Sequence, residues 1–143
     1  MDEFAYVVNV DAAVVRDGEY LVIERSAEEE HAAGTVAFPG GKVEQTEGFD
    51  AIENTARREV REETGVEVGA VEYVSSNAFV ADEGTQCLNV LTRCEYESGE
   101  PEARQPDEVA DAFWLPYEEF GAHPDVPEYV AAFAERVEES RAD

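Results

Sequence analysis

The segment that most constrains this chain is residues 51–64, AIENTARREVREET. Asp50 followed by Glu53 has the spacing of a capping box, and Gly65 supplies a C-terminal stop, so the pattern predicts a helix from Ala51 to Thr64. With about 100° per residue and Glu59 set at 0°, Glu63 falls at about 40° and Glu62 at about −60°, while Ile52, Ala56 and Val60 fall at about 20°, 60° and 100°. Glu63 therefore shares the apolar sector, and Glu59 and Glu62 border it. A merely solvated acidic face would put its acids opposite the apolar stripe. Carboxylates beside a buried face repel one another and lose hydration. A divalent cation is the simplest compensation, and oxygen ligands of this kind favour Mg2+ or Mn2+.

The rest of the chain reads as strands around this helix. Tyr6 to Val15 alternate around valines, Asp17-Gly18 is a hairpin signal, and Tyr20 to Ile23 return. A polar loop follows from Ser26 to Ala33. Thr35 to Phe38 form a short strand ended by Pro39-Gly40-Gly41. Val66 to Val80 are mostly β with a break near Gly69, and Leu88 to Tyr96 form another strand. Glu97 to Gln105 is a polar loop. Ala112 to Leu115 is a short strand carrying Trp114, and Tyr117 to Phe120 suits a helical turn. A last helix is expected from Pro127 to about Ser140, with Val130, Phe133, Ala134 and Val137 as its stripe and Asp125 and Glu128 at capping-box spacing. Strands mixed with two helices, without repeat or linker, indicate one α/β sandwich over residues 1–143. Cys87 and Cys94, at odd spacing on one strand, should face opposite sides and stay unpaired. His31 and His123 have no ligand-spaced partner and read as surface residues.

Charge narrows the partners. The 143 residues carry 35 Asp and Glu against 10 Lys and Arg, a formal net charge of −25, and Lys42 is the sole lysine. Such a surface repels nucleic-acid polymers and anionic membranes. It also repels an anionic substrate unless a local cation offsets the field. Hydrophobic residues at 43% and their regular spacing argue against disorder. Without an apolar run of bilayer length or a secretory signal at the start, a soluble cytoplasmic protein is expected. The excess of carboxylates over lysine resembles proteins of high-salt cytoplasm.

Residues 40–66, GGKVEQTEGFDAIENTARREVREETGV, resemble the Nudix box, G-x5-E-x7-R-E-U-x-E-E-x-G-U with U aliphatic. Gly41 matches the opening glycine, and Arg58, Glu59, Val60, Glu62, Glu63, Gly65 and Val66 match the second half in full. Glu47 stands at the right distance from Gly41, but ten residues (48–57) rather than seven then precede Arg58. Asp50 has the right distance from Arg58 and the wrong one from Gly41. A three-residue loop insertion, with Asp50 starting the helix, accounts for this and leaves the role of the box's first acid open. Phe38 to Gly41 before the helix, and Glu108 before Ala112-Phe113-Trp114-Leu115-Pro116, extend the resemblance. A P-loop would need different residues where Val36 and Val43 stand.

The resemblance implies a Nudix-type α/β/α sandwich with a mixed sheet. It implies metal ligation by Glu59, Glu62, Glu63 and the Gly41 carbonyl, with Arg58 orienting the glutamates. It implies Mg2+- or Mn2+-dependent hydrolysis of a diphosphate linkage in a small nucleotide or nucleoside diphosphate derivative by metal-polarised water. Glu63 and Glu108 are the candidate general bases. Arg25, Phe38 and Lys42 are the candidate substrate contacts, and a homodimer stays open. Arg57 and Arg58 also have i,i+4 or nearby acidic partners in Glu53 and Glu62. Leu21, Arg25, Ser26, Gly34 and Phe38 to Gly41 further match a coenzyme A pyrophosphatase motif, whereas Val22, Ile23 and Glu30 do not. A third reading is a ligand-sensing Nudix domain without catalysis, against which the complete R-E-U-x-E-E stands.

Overall fold

A computed structural model describes residues 2–28, 33–81 and 83–141. Glu30 and His31, singled out above, lie outside the described residues. Strands β1 (Val7–Arg16) and β2 (Glu19–Arg25) are joined by Asp17 and Gly18, both at positive φ (50° and 80°), as a two-residue hairpin of matching twist requires. β3 (Val36–Ala37) pairs with β2, and β4 (Gly40–Lys42) pairs antiparallel with the first half of β1. The sequence did not foresee β4, because a Gly-Gly-Lys run has no strand propensity and is held by the β1 edge. Helix α1 spans Ala51–Thr64 as expected.

β5 (Glu67–Val80) and β6 (Gln86–Ser98) are antiparallel, and β6 lies parallel to β1. The expected break near Gly69 is a register shift between Val68 and Val71 rather than an end of the strand. β7 (Val109–Pro116) runs along β2, and a 3-10 turn at Tyr117–Glu119 follows it. Helix α2 spans Glu128–Arg141, with the Pro127 carbonyl accepting its first backbone bonds.

Alternation along β1 explains the layers. Val10, Ala12 and Val14 pack with Ala56 and Val60 of α1. Ala13 on the other face joins Val130, Ala134 and Val137 of α2. The mixed sheet thus lies between two helices, an α/β sandwich. Cys94 is buried on the α1 side and Cys87 faces the cleft on the other, both as free thiols, as their spacing predicted. No helix among the described residues is long and apolar enough to cross a membrane.

Two expectations fail at the start of α1. Asp50 sits at φ 56°, ψ 41° and its side chain makes no capping bond, so the Asp50–Glu53 box does not form. The inserted Gly48-Phe49-Asp50 brings the chain into the helix in a left-handed turn, from which the carboxylate cannot reach back over the first N–H groups. Asn54 Nδ2 ties the insertion down instead, donating to the Phe49 carbonyl at 2.9 Å and to that of Glu47 at 3.3 Å. Ile52 is 36% exposed although its angle lies within the apolar sector. The difference is axial: the buried positions begin one turn later, at Thr55.

Candidate active site

The loop–helix unit from Gly40 to Thr64 brings the acids together. Glu63 is 5% exposed, as its position on the helix predicted, and its Oε1 accepts the Gly40 N–H at 2.9 Å. Burial pushes its carboxyl up to about 8; the Gly40 bond and Arg25 oppose the rise, and the charges of Glu59 and Glu108 add to it. Glu59 is raised chiefly by burial, against the pull of Arg58. A Cβ on Gly41 would fall 2.6 Å from both Glu59 carboxylate oxygens, so only glycine lets β4 pass this close to the acid. Glu62 is exposed, its side chain at 44%, and leans on Arg58 at 3.5 Å. Among the described residues no three acidic, histidine or cysteine side chains converge into a ready-made ligand cluster.

Arg58 is the hub. Its guanidinium meets Glu47 at 2.7 Å, Glu59 at 2.7 Å and the Lys42 carbonyl at 3.1 Å. Burial alone would lower its pKa, but the Glu47 bond and the charges of Glu59, Glu47 and Glu44 more than offset it, and the pKa is raised. Glu47 also accepts from Thr55 Oγ1 at 3.2 Å. Glu47, not Asp50, is therefore the acid that Arg58 uses, and the insertion lies between Glu47 and the helix. Its correct distance from Gly41 was the signal. Arg57 does not pair with Glu53; its Nε donates to the Gly69 carbonyl at 3.1 Å, because the β5 bulge brings that carbonyl under the helix. Arg61 meets Glu67 at 3.6 Å on the surface.

Glu108 is exposed in the turn just before β7, and its carbonyl accepts the Ser26 N–H at 2.9 Å, which fixes it beside the end of β2. Its charge reaches both Glu59 and Glu63. Arg25 and Lys42 line a cleft of about 890 Å3 on the α2 side of the sheet. Phe38 forms part of its wall but is 2% exposed, packed edge-on to Tyr20 at 5.8 Å, so it is mainly a core residue. The same cleft holds polar residues that the sequence reading passed over. Asp11 on β1 is raised to about 6 by burial, against Asn89, Arg25 and Asn9, which lower it. Asn9 and Asp11, two apart on a valine-rich strand, were the available hint, since alternate positions share a face.

An α/β sandwich whose glycine-paired strand feeds an Arg- and Glu-bearing helix beside an open cleft defines the class of protein. The sequence model described as the NUDIX domain matches residues 5–136, and the chain belongs to that family. It is 35% identical over 122 residues to the NAD-capped RNA hydrolase NudC of Mannheimia succiniciproducens, covering 84% of this chain and 42% of that protein. It is 40% identical over 72 residues to the CTP pyrophosphohydrolase of Escherichia coli, covering 50% of each. The chain thus spans half or less of the length of these relatives. Among solved structures, the MutT Nudix hydrolase of Burkholderia pseudomallei superposes with a TM-score of 0.78 at 25% identity, over 93% of this chain and 98% of that one. The Nudix domain of Shewanella oneidensis NrtR complexed with ADP ribose gives 0.78 at 20% identity, over 96% and 89%, a likeness of fold.

Proposed function

We propose that this chain hydrolyses a diphosphate linkage in a nucleotide or nucleoside diphosphate derivative, with Mg2+ or Mn2+ as cofactor. The observation that carries the reading is Glu63: a carboxyl 5% exposed, facing the charges of Glu59 and Glu108, on the helix that β4 crosses at Gly41. The donor set fits a hard divalent cation, being carboxylates and a backbone carbonyl at a point where no side chain intervenes. Glu59, Glu62, Glu63 and the Gly41 carbonyl would hold it, the exposed Glu62 turning inward from Arg58. Bound there, the cation would polarise the attacking water and offset charge on the phosphoryl oxygens.

The chain's own residues supply the rest. Arg58 holds Glu59 in place and braces the loop through Glu47, so the acids stay aimed without help from substrate. The Gly40 N–H fixes Glu63, whereas Glu108 stands exposed at the rim, where it can accept the proton of the attacking water. Arg25 and Lys42 offset the field of a −25 protein where a polyphosphate enters. That charge favours a small anion over an RNA polyanion, and the same surface suits a salt-rich cytoplasm. The names of the relatives, NAD-capped RNA and CTP hydrolases, support a nucleotide substrate.

The test is a panel of nucleoside triphosphates, ADP-ribose, NAD, dinucleoside polyphosphates and coenzyme A, with Mg2+, Mn2+ or chelator, read by release of phosphate or nucleotide. Hydrolysis of at least one compound, lost with chelator and in Glu108→Gln and Glu63→Gln, is expected. Slower turnover of coenzyme A than of the others ends the coenzyme A reading alone. Binding without turnover on every compound would favour a sensing domain and overturn the proposal.

A further inference from the structure

Residues 99–108, between β6 and β7, form neither helix nor strand, yet their backbone is tied down along its length. The last carbonyls of a helix have no partner within it. On α1 those of Thr64 and Glu63 accept the N–H groups of Glu102 at 3.0 Å and Arg104 at 3.1 Å. At the start of the loop Gly99, at φ 96°, lies against Gly65: a Cβ there would fall 3.0 Å from the Gly65 carbonyl oxygen. The Gly99 carbonyl accepts Tyr96 Oη at 2.8 Å, and the Tyr96 ring packs edge-on against Trp114 of β7 at 5.5 Å. At the far end the Gln105 carbonyl accepts the N–H groups of Glu108 at 2.8 Å and Val109 at 2.7 Å, and the Glu108 carbonyl takes the Ser26 N–H. Both backbone polar groups of Glu108 are therefore held, while its side chain stays exposed.

A helix end can be capped by the residues that follow it or by water, and the Gly65 N–H already bonds the Arg61 carbonyl. Two further donors from a loop remote in sequence add what a cap does not require, a fixed distance. One of the gripped carbonyls belongs to Glu63 itself, and the turn that follows the grip ends on Glu108. Resting on the hydrolytic reading above, we propose that residues 99–108 are a strap that sets the Glu108 carboxylate relative to Glu63, with Gly99 and the Arg104 N–H as its positioning groups. Two acids of like charge move apart unless backbone restrains them, and a loose loop would let Glu108 swing into solvent. A reacting group displaced by about 1 Å loses about a hundredfold in rate. Arg104 acts through its backbone. Its guanidinium lies over Gly65, where a Cβ would meet Nε at 2.6 Å, and pairs with Glu102 at 3.0 Å.

Gly99→Ala sets a Cβ against the Gly65 carbonyl on a backbone that favours glycine, and Arg104→Pro removes the gripping N–H. With Mg2+ and the best substrate of the panel, each should lower kcat by about tenfold or more, leaving KM and the calorimetric Mg2+ affinity at parental values. Val137→Ala, in the core under α2, controls for lost stability and should keep the parental kcat. A double-mutant cycle with Glu108→Gln separates positioning from mere support: once Glu108 has lost its charge, Gly99→Ala should cost no further activity. If both strap variants fail to fold, Tyr96→Phe, which keeps the ring and removes one anchor, is read in the same cycle. Full additivity in the cycle, parental kcat in the folded strap variants or in Glu108→Gln, or a loss of Mg2+ affinity in place of kcat would overturn the strap and leave the hydrolase reading standing. A parent that turns over no compound would refute the hydrolase reading and the strap with it.

Discussion

Glutamine at position 63 keeps the size of the side chain and can still accept the Gly40 N–H, but it removes the charge. With chelator present, the carboxyl of the folded parent titrates at about 8 against an ordinary 4.5, raised by burial first and by Glu59 and Glu108 next. A folded-state pKa above the unfolded value means that the folded protein holds the proton longer. No ionisation penalty applies below about 4.5; it then grows as pH rises and levels off above about 8. At about 1.36 kcal/mol per pKa unit the full penalty is at most about 5 kcal/mol, and relaxation and water entry reduce what is realised. Glu63→Gln should therefore match the parent in urea melts at pH 4.5 and be the more stable by about 2–4 kcal/mol at pH 8.5. Glu139→Gln, exposed on α2, controls for general relief of a −25 surface and should show no such pH dependence. With Mg2+ the order reverses: the parent gains thermal stability by binding the ion, and the variant does not. Its hydrolysis should fall by about a hundredfold or more. A stability difference that stays constant between pH 4.5 and 8.5, or parental hydrolysis by the variant, would refute the reasoning.

Three further outcomes follow from the same contacts. Arg58→Ala leaves Glu47 and Glu59 without their shared partner and should cost about 3 kcal/mol in denaturant melts, with Arg58→Lys only partly restoring stability because an ammonium cannot fork to both acids and the Lys42 carbonyl. Gly41→Ala places a Cβ against the Glu59 carboxylate and should lower stability by about 2 kcal/mol and raise the Mg2+ concentration needed for half-maximal turnover. The melting temperature of the parent should climb between about 0.1 M and about 3 M KCl as counter-ions screen its carboxylates; a flat profile would remove the high-salt reading.

Local chemistry made much of this protein legible in advance. The bounds of α1, the left-handed Gly65 that ends it at φ 80°, the Asp17-Gly18 hairpin and the burial of Glu63 follow from 3.6-residue and two-residue periods and from which residues tolerate positive φ. These depend on neighbours a few positions away, which the sequence displays directly. Tertiary structure decided the rest. That Arg58 takes Glu47 rather than Asp50 depends on how the inserted loop folds back over eleven residues. That Asn9 and Asn89 form a pair depends on the parallel register of β1 and β6 across eighty residues. Gly40–Lys42 became a strand only because the free edge of β1 was there to accept it. Period and propensity specify which face of an element is apolar; which polar groups meet across that face is fixed by strand register and loop closure, and these are set by the packed core as a whole.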